Sequence, residues 1–243
     1  MINWSTIDTV LLDMDGTLLD LHFDNHFWLE HLPLRYAQHV GRPLELVHTE
    51  LMTRIDREQG TLNWYCLDYW TRELGMDIRQ LKEEVQHLIS FRPQVQDFLA
   101  ELKHSHQRLI LVTNAHRKSL SLKLSLTGLD QYFDQVISSH DFGMPKEDVL
   151  FWEALQQVEP FDKSRTLLID DSASVLRSAH CYGIGHLLTI LQPDSRKAPR
   201  PESEFPGLLE FAQIRLGASL NLGASLTKET THRETTSPSG KAS

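Results

Sequence analysis

Three short apolar runs in this chain each end abruptly in side chains that carry chemistry, and that pattern constrains the fold more than any other feature. Thr9 to Leu12 leads into Asp13, Leu109 to Val112 into Thr113-Asn114, and Thr166 to Ile169 into Asp170-Asp171. Gln135-Val136-Ile137 and Leu187 to Ile190 read as two further strands. Runs this short, apolar at consecutive rather than alternate positions, suit strands covered on both faces, as in parallel sheets. Helical spacing lies between the later runs: Val95, Phe98, Leu99 and Leu102 fall on one face, and Leu120 to Leu129 reads the same way. Alternation of this kind builds βαβ units, so the expected fold class is α/β, a doubly wound parallel sheet. Such sheets bind ligands beyond the carboxyl ends of their strands, where these polar residues fall.

Residues 20–90 break the alternation. They are helical in character, rich in aromatics and without a clear strand, which predicts a helical cap inserted after the first strand. The sheet domain is then expected at 1–19 and 91–215, with Pro93 opening the helix that returns to it. Residues 193–206, rich in Pro and charge, read as a loop. Residues 221–243 are dominated by Thr, Ser, Lys and Glu, the composition of a disordered tail. Of the 243 residues, 40% are hydrophobic and 23% charged, enough to bury one domain with an insertion. A formal net charge of -9 with no basic run argues against a nucleic-acid platform. An anionic substrate must then be drawn by a local positive site, such as a metal. No apolar run reaches the roughly 18 residues of a membrane span, and the start Met1-Ile2-Asn3-Trp4 lacks a basic region. The expectation is a cytoplasmic protein with no membrane partner, a monomer by preference. Cys66 and Cys181 read as reduced, buried thiols.

The strongest chemical signal is Leu11-Leu12-Asp13-Met14-Asp15-Gly16-Thr17. Gly16 permits a tight turn or a close approach after the strand. Two carboxylates facing one small volume repel, so a cation or a shared proton is required. Asp170-Asp171 at another strand end would complete a hard-oxygen site suited to Mg²⁺, although an Asp pair followed by Ser172 is also a helix cap. Thr113-Asn114 at a helix start is either a phosphate cradle or a simple N-cap. Lys146, in Gly143-Met144-Pro145-Lys146, is either a counter-charge for a phosphoryl group or a solvated surface residue.

The four signals, in this chain order, resemble the haloacid dehalogenase-like hydrolase superfamily, in its phosphatase branch with a helical cap after the first motif. The resemblance spans residues 13–171 in its motifs and implies Asp13 as nucleophile and Asp15 as general acid/base. It implies that Gly16, Thr17, Thr113, Asn114 and Lys146 surround the phosphoryl group. It implies Mg²⁺ held among Asp13, Asp15, Asp171 and Asp170, with Asp171 the principal ligand. Two departures stand out: Lys146 follows Pro145 rather than preceding a proline, and Val175 occupies the place of a third acid. Three stretches, Leu18 to Trp28, Thr61 to Trp70 and Phe142 to Asp148, look like the bacterial GMP/IMP nucleotidases. That narrower resemblance implies a purine 5′-monophosphate, a small-molecule phosphate ester, as substrate.

Within the cap, Trp64, Leu67, Trp70 and Leu74 form a helical stripe that reads as core. Tyr65, Asp68 and Tyr69 lie on the opposite side and are candidates to face the cleft, while Asn25 and Asn63 are candidates to read a purine edge. His22, His116 and His140 show no metal-ligand spacing and read as surface or satisfied residues. Rival readings differ at single points. A receiver-like signalling module would carry its acid pair at the first strand and lack the cap. A dehalogenase would not need Asp15. A phosphomutase or a sugar phosphatase would share the motifs.

Overall fold

The computed structural model describes residues 2–214; the tail expected over 221–243 lies outside them. Six strands form one parallel sheet in the order β3-β2-β1-β4-β5-β6. They are β1 (Thr9–Leu12), β2 (Arg108–Thr113), β3 (Gln135–Ser138), β4 (Thr166–Asp170), β5 (His186–Ile190) and β6 (Gly207–Leu208). The first five match the strands read from the apolar runs. β6 had no such signal, being two residues long beside Pro206.

The reason the runs lack alternation is visible in the core. Val10, Leu12, Leu109, Leu111, Leu167 and Ile169 enter one hydrophobic cluster; Leu11, Ile110, Val112 and Leu168 enter the other. Successive strand residues point to opposite faces, and both faces are covered. The first cluster takes Val95, Phe98, Leu99 and Leu102 of α7 (Val95–Lys103) and Leu120 of α8 (Arg117–Thr127). The second takes Phe151, Trp152 and Leu155 of α9 (Val149–Val158) and Val175, Leu176 and Ala179 of α10 (Ala173–Tyr182). Val175 is thus a core residue, which suits an apolar side chain where some relatives are expected to carry an acid.

Between β1 and α7 the regular elements are helical: α1 (His22–His26), a π-helical turn Phe27–His31, α2 (Leu32–Val40), α3 (Leu44–Glu58), α4 (Leu62–Tyr65), α5 (Leu67–Leu74), α6 (Ile78–Glu84) and a 3-10 turn Gln86–Leu88. This insertion has its own core, in which Leu67, Trp70 and Leu74 are buried and Trp64 packs at the edge, as the stripe predicts. The Trp70 indole N–H donates to the Trp64 carbonyl at 3.1 Å, so the buried polar end of the ring is satisfied. Two connecting segments join insertion to sheet. They pair with each other at Leu19 and Phe91, and the main-chain N–H of Arg92 donates to the Leu18 carbonyl at 3.0 Å.

Pro93 does not open α7. Gln94 intervenes with φ 59°, and the helix starts at Val95. The thiols also differ from expectation: Cys181 is exposed and Cys66 half-buried. No helix among the described residues is long and apolar enough to cross a membrane.

Candidate active site

The three chemical strand ends meet because β2, β1 and β4 are neighbours. Asp13 follows β1 directly, and its main-chain N–H continues the ladder by donating to the Ile169 carbonyl at 3.0 Å. The chain then folds back: the N–H groups of Leu18 and Leu19 reach the Met14 carbonyl, and that of Gly16 reaches the Leu19 carbonyl. Gly16 adopts φ +84°, and a Cβ there would lie 2.8 Å from the Asp171 carboxylate. The glycine therefore meets both demands at once, a left-handed turn and a close approach.

Asp13, Asp170 and Asp171 bring one oxygen each within 4.8 Å of one another. Asp13 Oδ2 is buried and has no hydrogen-bond partner. Three carboxylates without enough donors form an anionic site; burial raises all three above the usual carboxylate range, and repulsion from neighbouring acids of the cluster adds to it for Asp13 and Asp171. Asp13 reaches about 6, by burial first. Asp170 is raised by burial, and Asp171 is raised well above its ordinary value by burial, then by Asp170 and Asp13. A hard divalent cation fits the orphaned Asp13 oxygen and the all-oxygen donor set.

Lys146 lies among them, buried. Its Nζ donates to Asp13 Oδ1 at 2.6 Å, to Asp170 Oδ2 at 2.7 Å and to the Val112 carbonyl at 2.9 Å. An ammonium group has three donors, so all are engaged. Lys146 is neither a surface lysine nor a free phosphoryl ligand; it neutralises two of the three acids. Asp170 Oδ1 accepts the Ser172 N–H at 2.9 Å, which leaves Asp171 the less committed carboxylate of the strand-end pair.

Asn114, expected beside the phosphoryl group, is committed elsewhere. Its Oδ1 accepts the Lys146 main-chain N–H at 2.9 Å and its Nδ2 donates to Glu147 Oε2 at 2.9 Å. It shapes the lysine turn. Thr113 Oγ1 accepts the Ala115 N–H at 3.0 Å, and its own proton is left to donate. Thr17 is fully buried with its hydroxyl unpartnered.

The Asp15 carboxylate stands apart from the other three. It is not in the carboxylate cluster; its Oδ1 accepts from Lys123 Nζ at 2.6 Å. Lys123, on α8, is 1% exposed and also donates to Asp24 Oδ2 at 2.6 Å. Asp24 in turn accepts from the buried Lys82 of α6 at 2.7 Å, and Lys82 stands over the rings of Phe23, Phe27 and Trp28. Burial raises Asp15 to about 6 against the pull of Lys123. Asp24 is held low because Lys123 and then Lys82 outweigh its burial. This chain of charges runs from Asp15 through the sheet domain into the insertion. Neither lysine was singled out in sequence; each sits at a helical position whose spacing reads as ordinary surface.

Other cap candidates are also tied. Asn25 donates to Asp194 at 2.6 Å and Asn63 to Glu58 at 3.0 Å, so neither amide is free. The Tyr69 hydroxyl is bonded within the insertion, to Glu58 at 2.8 Å. Tyr65 reaches the sheet domain: its hydroxyl donates to Glu147 Oε1 at 2.7 Å. The 193–206 loop closes another side, with Arg200 Nη1 donating to the Asp171 carbonyl at 2.6 Å.

A parallel sheet that gathers an Asp-x-Asp loop, a strand-end hydroxyl, a buried lysine and an acid pair beneath a helical insertion defines a class, and the chain belongs to it: it is a member of the haloacid dehalogenase-like hydrolase family, whose profile matches residues 10–188. It is 41% identical over 213 residues to the GMP/IMP nucleotidase YrfG of Escherichia coli (strain K12), covering 88% of this chain and 96% of that protein. Among solved structures, the HAD phosphatase from Thermococcus onnurineus shares the fold with a TM-score of 0.69 at 20% identity, over 82% of this chain and 93% of that one. The HAD-hydrolase YfnB from Bacillus subtilis, bound to magnesium, does so with a TM-score of 0.58 at 18% identity, over 85% and 96%.

Proposed function

We propose that this hydrolase is a Mg²⁺-dependent phosphomonoesterase that cleaves purine nucleoside 5′-monophosphates, IMP and GMP first among them, through an aspartyl-phosphate. The observation that carries the substrate is the 41% identity to a GMP/IMP nucleotidase over 96% of its length. The chemistry rests on the grouping of Asp13, Asp170 and Asp171 around Lys146.

Asp13 attacks phosphorus in line; the bond to the 5′-oxygen breaks and an acyl phosphate forms. Asp15, with its carboxyl raised to about 6, gives its proton to the leaving 5′-oxygen. It then takes a proton from the water that hydrolyses the acyl phosphate, releasing inorganic phosphate and restoring Asp13. Asp13, Asp171 and, at one remove, Asp170 would hold Mg²⁺, which supplies charge stabilisation for the phosphoryl oxygens. Thr113 and Thr17 offer hydroxyls for those oxygens. The insertion over about 20–90 acts as a cap that excludes water and selects the leaving group. The enzyme works as a monomer in the cytoplasm on a small-molecule ester, without nucleic acid or membrane.

The test is phosphate release from a panel of esters with Mg²⁺. IMP and GMP should give the highest kcat/KM. A buried group matched to a 6-oxo purine is left unpaired by AMP, at about 1–3 kcal/mol, roughly tenfold to a hundredfold. If AMP, CMP or a sugar phosphate matches IMP, the substrate assignment fails; if no ester is hydrolysed, the chemistry fails.

A further inference from the structure

Away from the carboxylates, the seam between insertion and sheet domain gathers a second set of donors. Cys66, His116 and His140 place one sulfur and one ring nitrogen each within 4.8 Å of one another. Cys66 is the N-cap of α5, where its Sγ accepts the Tyr69 N–H at 3.4 Å. His116 is the N-cap of α8, and its Nδ1 accepts the Lys118 N–H at 3.3 Å, leaving Nε2 free to ligate. His140 lies in the turn after β3, with its ring edge-on to His116 at 4.9 Å between centroids. Its Nε2 is buried and has no hydrogen-bond partner. A buried ring nitrogen without a partner costs free energy unless something supplies one. Asp68 Oδ2 lies 3.6 Å from His116 Nε2, while its Oδ1 accepts from Lys118 Nζ at 2.5 Å.

We infer that Cys66, His116 and His140 form a binding site for a borderline-soft divalent cation of the Zn²⁺ type, distinct from the Mg²⁺ site, and that the bound ion clamps the cap to the sheet domain. Three considerations favour it. Sulfur and imidazole select Zn²⁺ and its neighbours over Mg²⁺. One thiolate with two imidazoles is a three-ligand set that Zn²⁺ accepts, its fourth position left to water. A bound ion also supplies the partner that the buried His140 Nε2 lacks. Tetrahedral ligation at about 2.0–2.3 Å needs donors roughly 3.3–3.6 Å apart, so rotations closing the cluster by about an ångström suffice. The ligands divide between the two bodies. Cys66 belongs to the insertion, His116 and His140 to the sheet domain, and His116 lies three residues beyond Thr113. An ion bridging them would hold the cap shut and slow turnover, a consequence that rests on the phosphomonoesterase reading.

The test is Co²⁺ titration of the full chain in excess Mg²⁺, followed by the thiolate-to-cobalt charge-transfer absorption, with Zn²⁺ as competitor. The wild type should show the band at one equivalent and lose it to Zn²⁺. Cys66→Ser should abolish it; serine remains a good N-cap, so the helix start is preserved. Cys181→Ser should leave it intact. Should Cys66→Ser fold poorly, His140→Gln removes a ligand with little change in volume and should weaken binding at least about tenfold. No band in the wild type, or one that survives Cys66→Ser, overturns the site. For the clamp, Zn²⁺ inhibition in excess Mg²⁺ should weaken at least about tenfold in Cys66→Ser. Equal inhibition of both proteins would place the effect at the carboxylates and overturn the clamp. The absorption decides the site whether or not any ester is cleaved.

Discussion

Lys123→Met tests the connection between the cap and the acid/base. The side chain keeps its length and apolar stem and loses the ammonium that bonds both Asp15 and Asp24 at 2.6 Å. Asp24 retains Lys82, but Asp15 is left with burial and the nearby carboxylates, all of which raise it. A cation next to a carboxylate lowers its pKa by about one to three. Its loss should therefore carry Asp15 up from about 6 by one or more. The base form of Asp15, which the proposed mechanism needs to activate water, is then populated only at higher pH. The acid limb of the kcat profile should move up by about one pH unit or more, with kcat at pH 6 down roughly tenfold. Stability should fall by about 3 kcal/mol at neutral pH, the cost of removing one partner of a buried pair. The sign is set by linkage. A group raised in the folded state favours folding fully below its unfolded value near 3.8 and loses that contribution as pH rises through the folded value. The deficit of the variant should therefore shrink on acidification. Urea unfolding in chelator at several pH values, beside the kcat profile, measures both. An unmoved acid limb with undiminished stability would refute the coupling.

Asp13→Asn should retain a folded circular dichroism spectrum and lose ester hydrolysis by roughly a thousandfold or more, as removal of a nucleophile does. Chelator should abolish phosphate release and Mg²⁺ restore it; Asp171→Ala should raise the Mg²⁺ needed for half activity more than Asp170→Ala, whose oxygens are already taken by Lys146 and Ser172. Gly16→Ala, which sets a Cβ 2.8 Å from the Asp171 carboxylate at φ +84°, should cost about 1–3 kcal/mol in denaturant unfolding and remove most activity. Tyr65→Phe deletes the bond to Glu147; denaturant unfolding should show a loss of about 1.5–3 kcal/mol, that of a bond to a charged group.

Residue order alone was enough to specify the sheet and the acids at its edge. Five strands, the helical insertion and the motif residues were legible because each is a local signal: an apolar run, a helical period, a glycine after two aspartates. Elements with weak local signals were not. β6 is two residues long, and Pro93 sits two residues before α7 because Gln94 takes the left-handed cap position. The tertiary structure alone decided how the site is wired. It turned Asp15 to Lys123, 108 residues away, set Tyr65 on Glu147 across 82, and brought Cys66 beside His116 and His140. Buried charges and unpartnered nitrogens are satisfied by whatever the packing brings near, and no spacing along the chain records that. Lys123 and Lys82 illustrate the rule: as letters they are surface helix residues, and only burial beside Asp15 and Asp24 makes them the link between the insertion and the Asp-x-Asp loop.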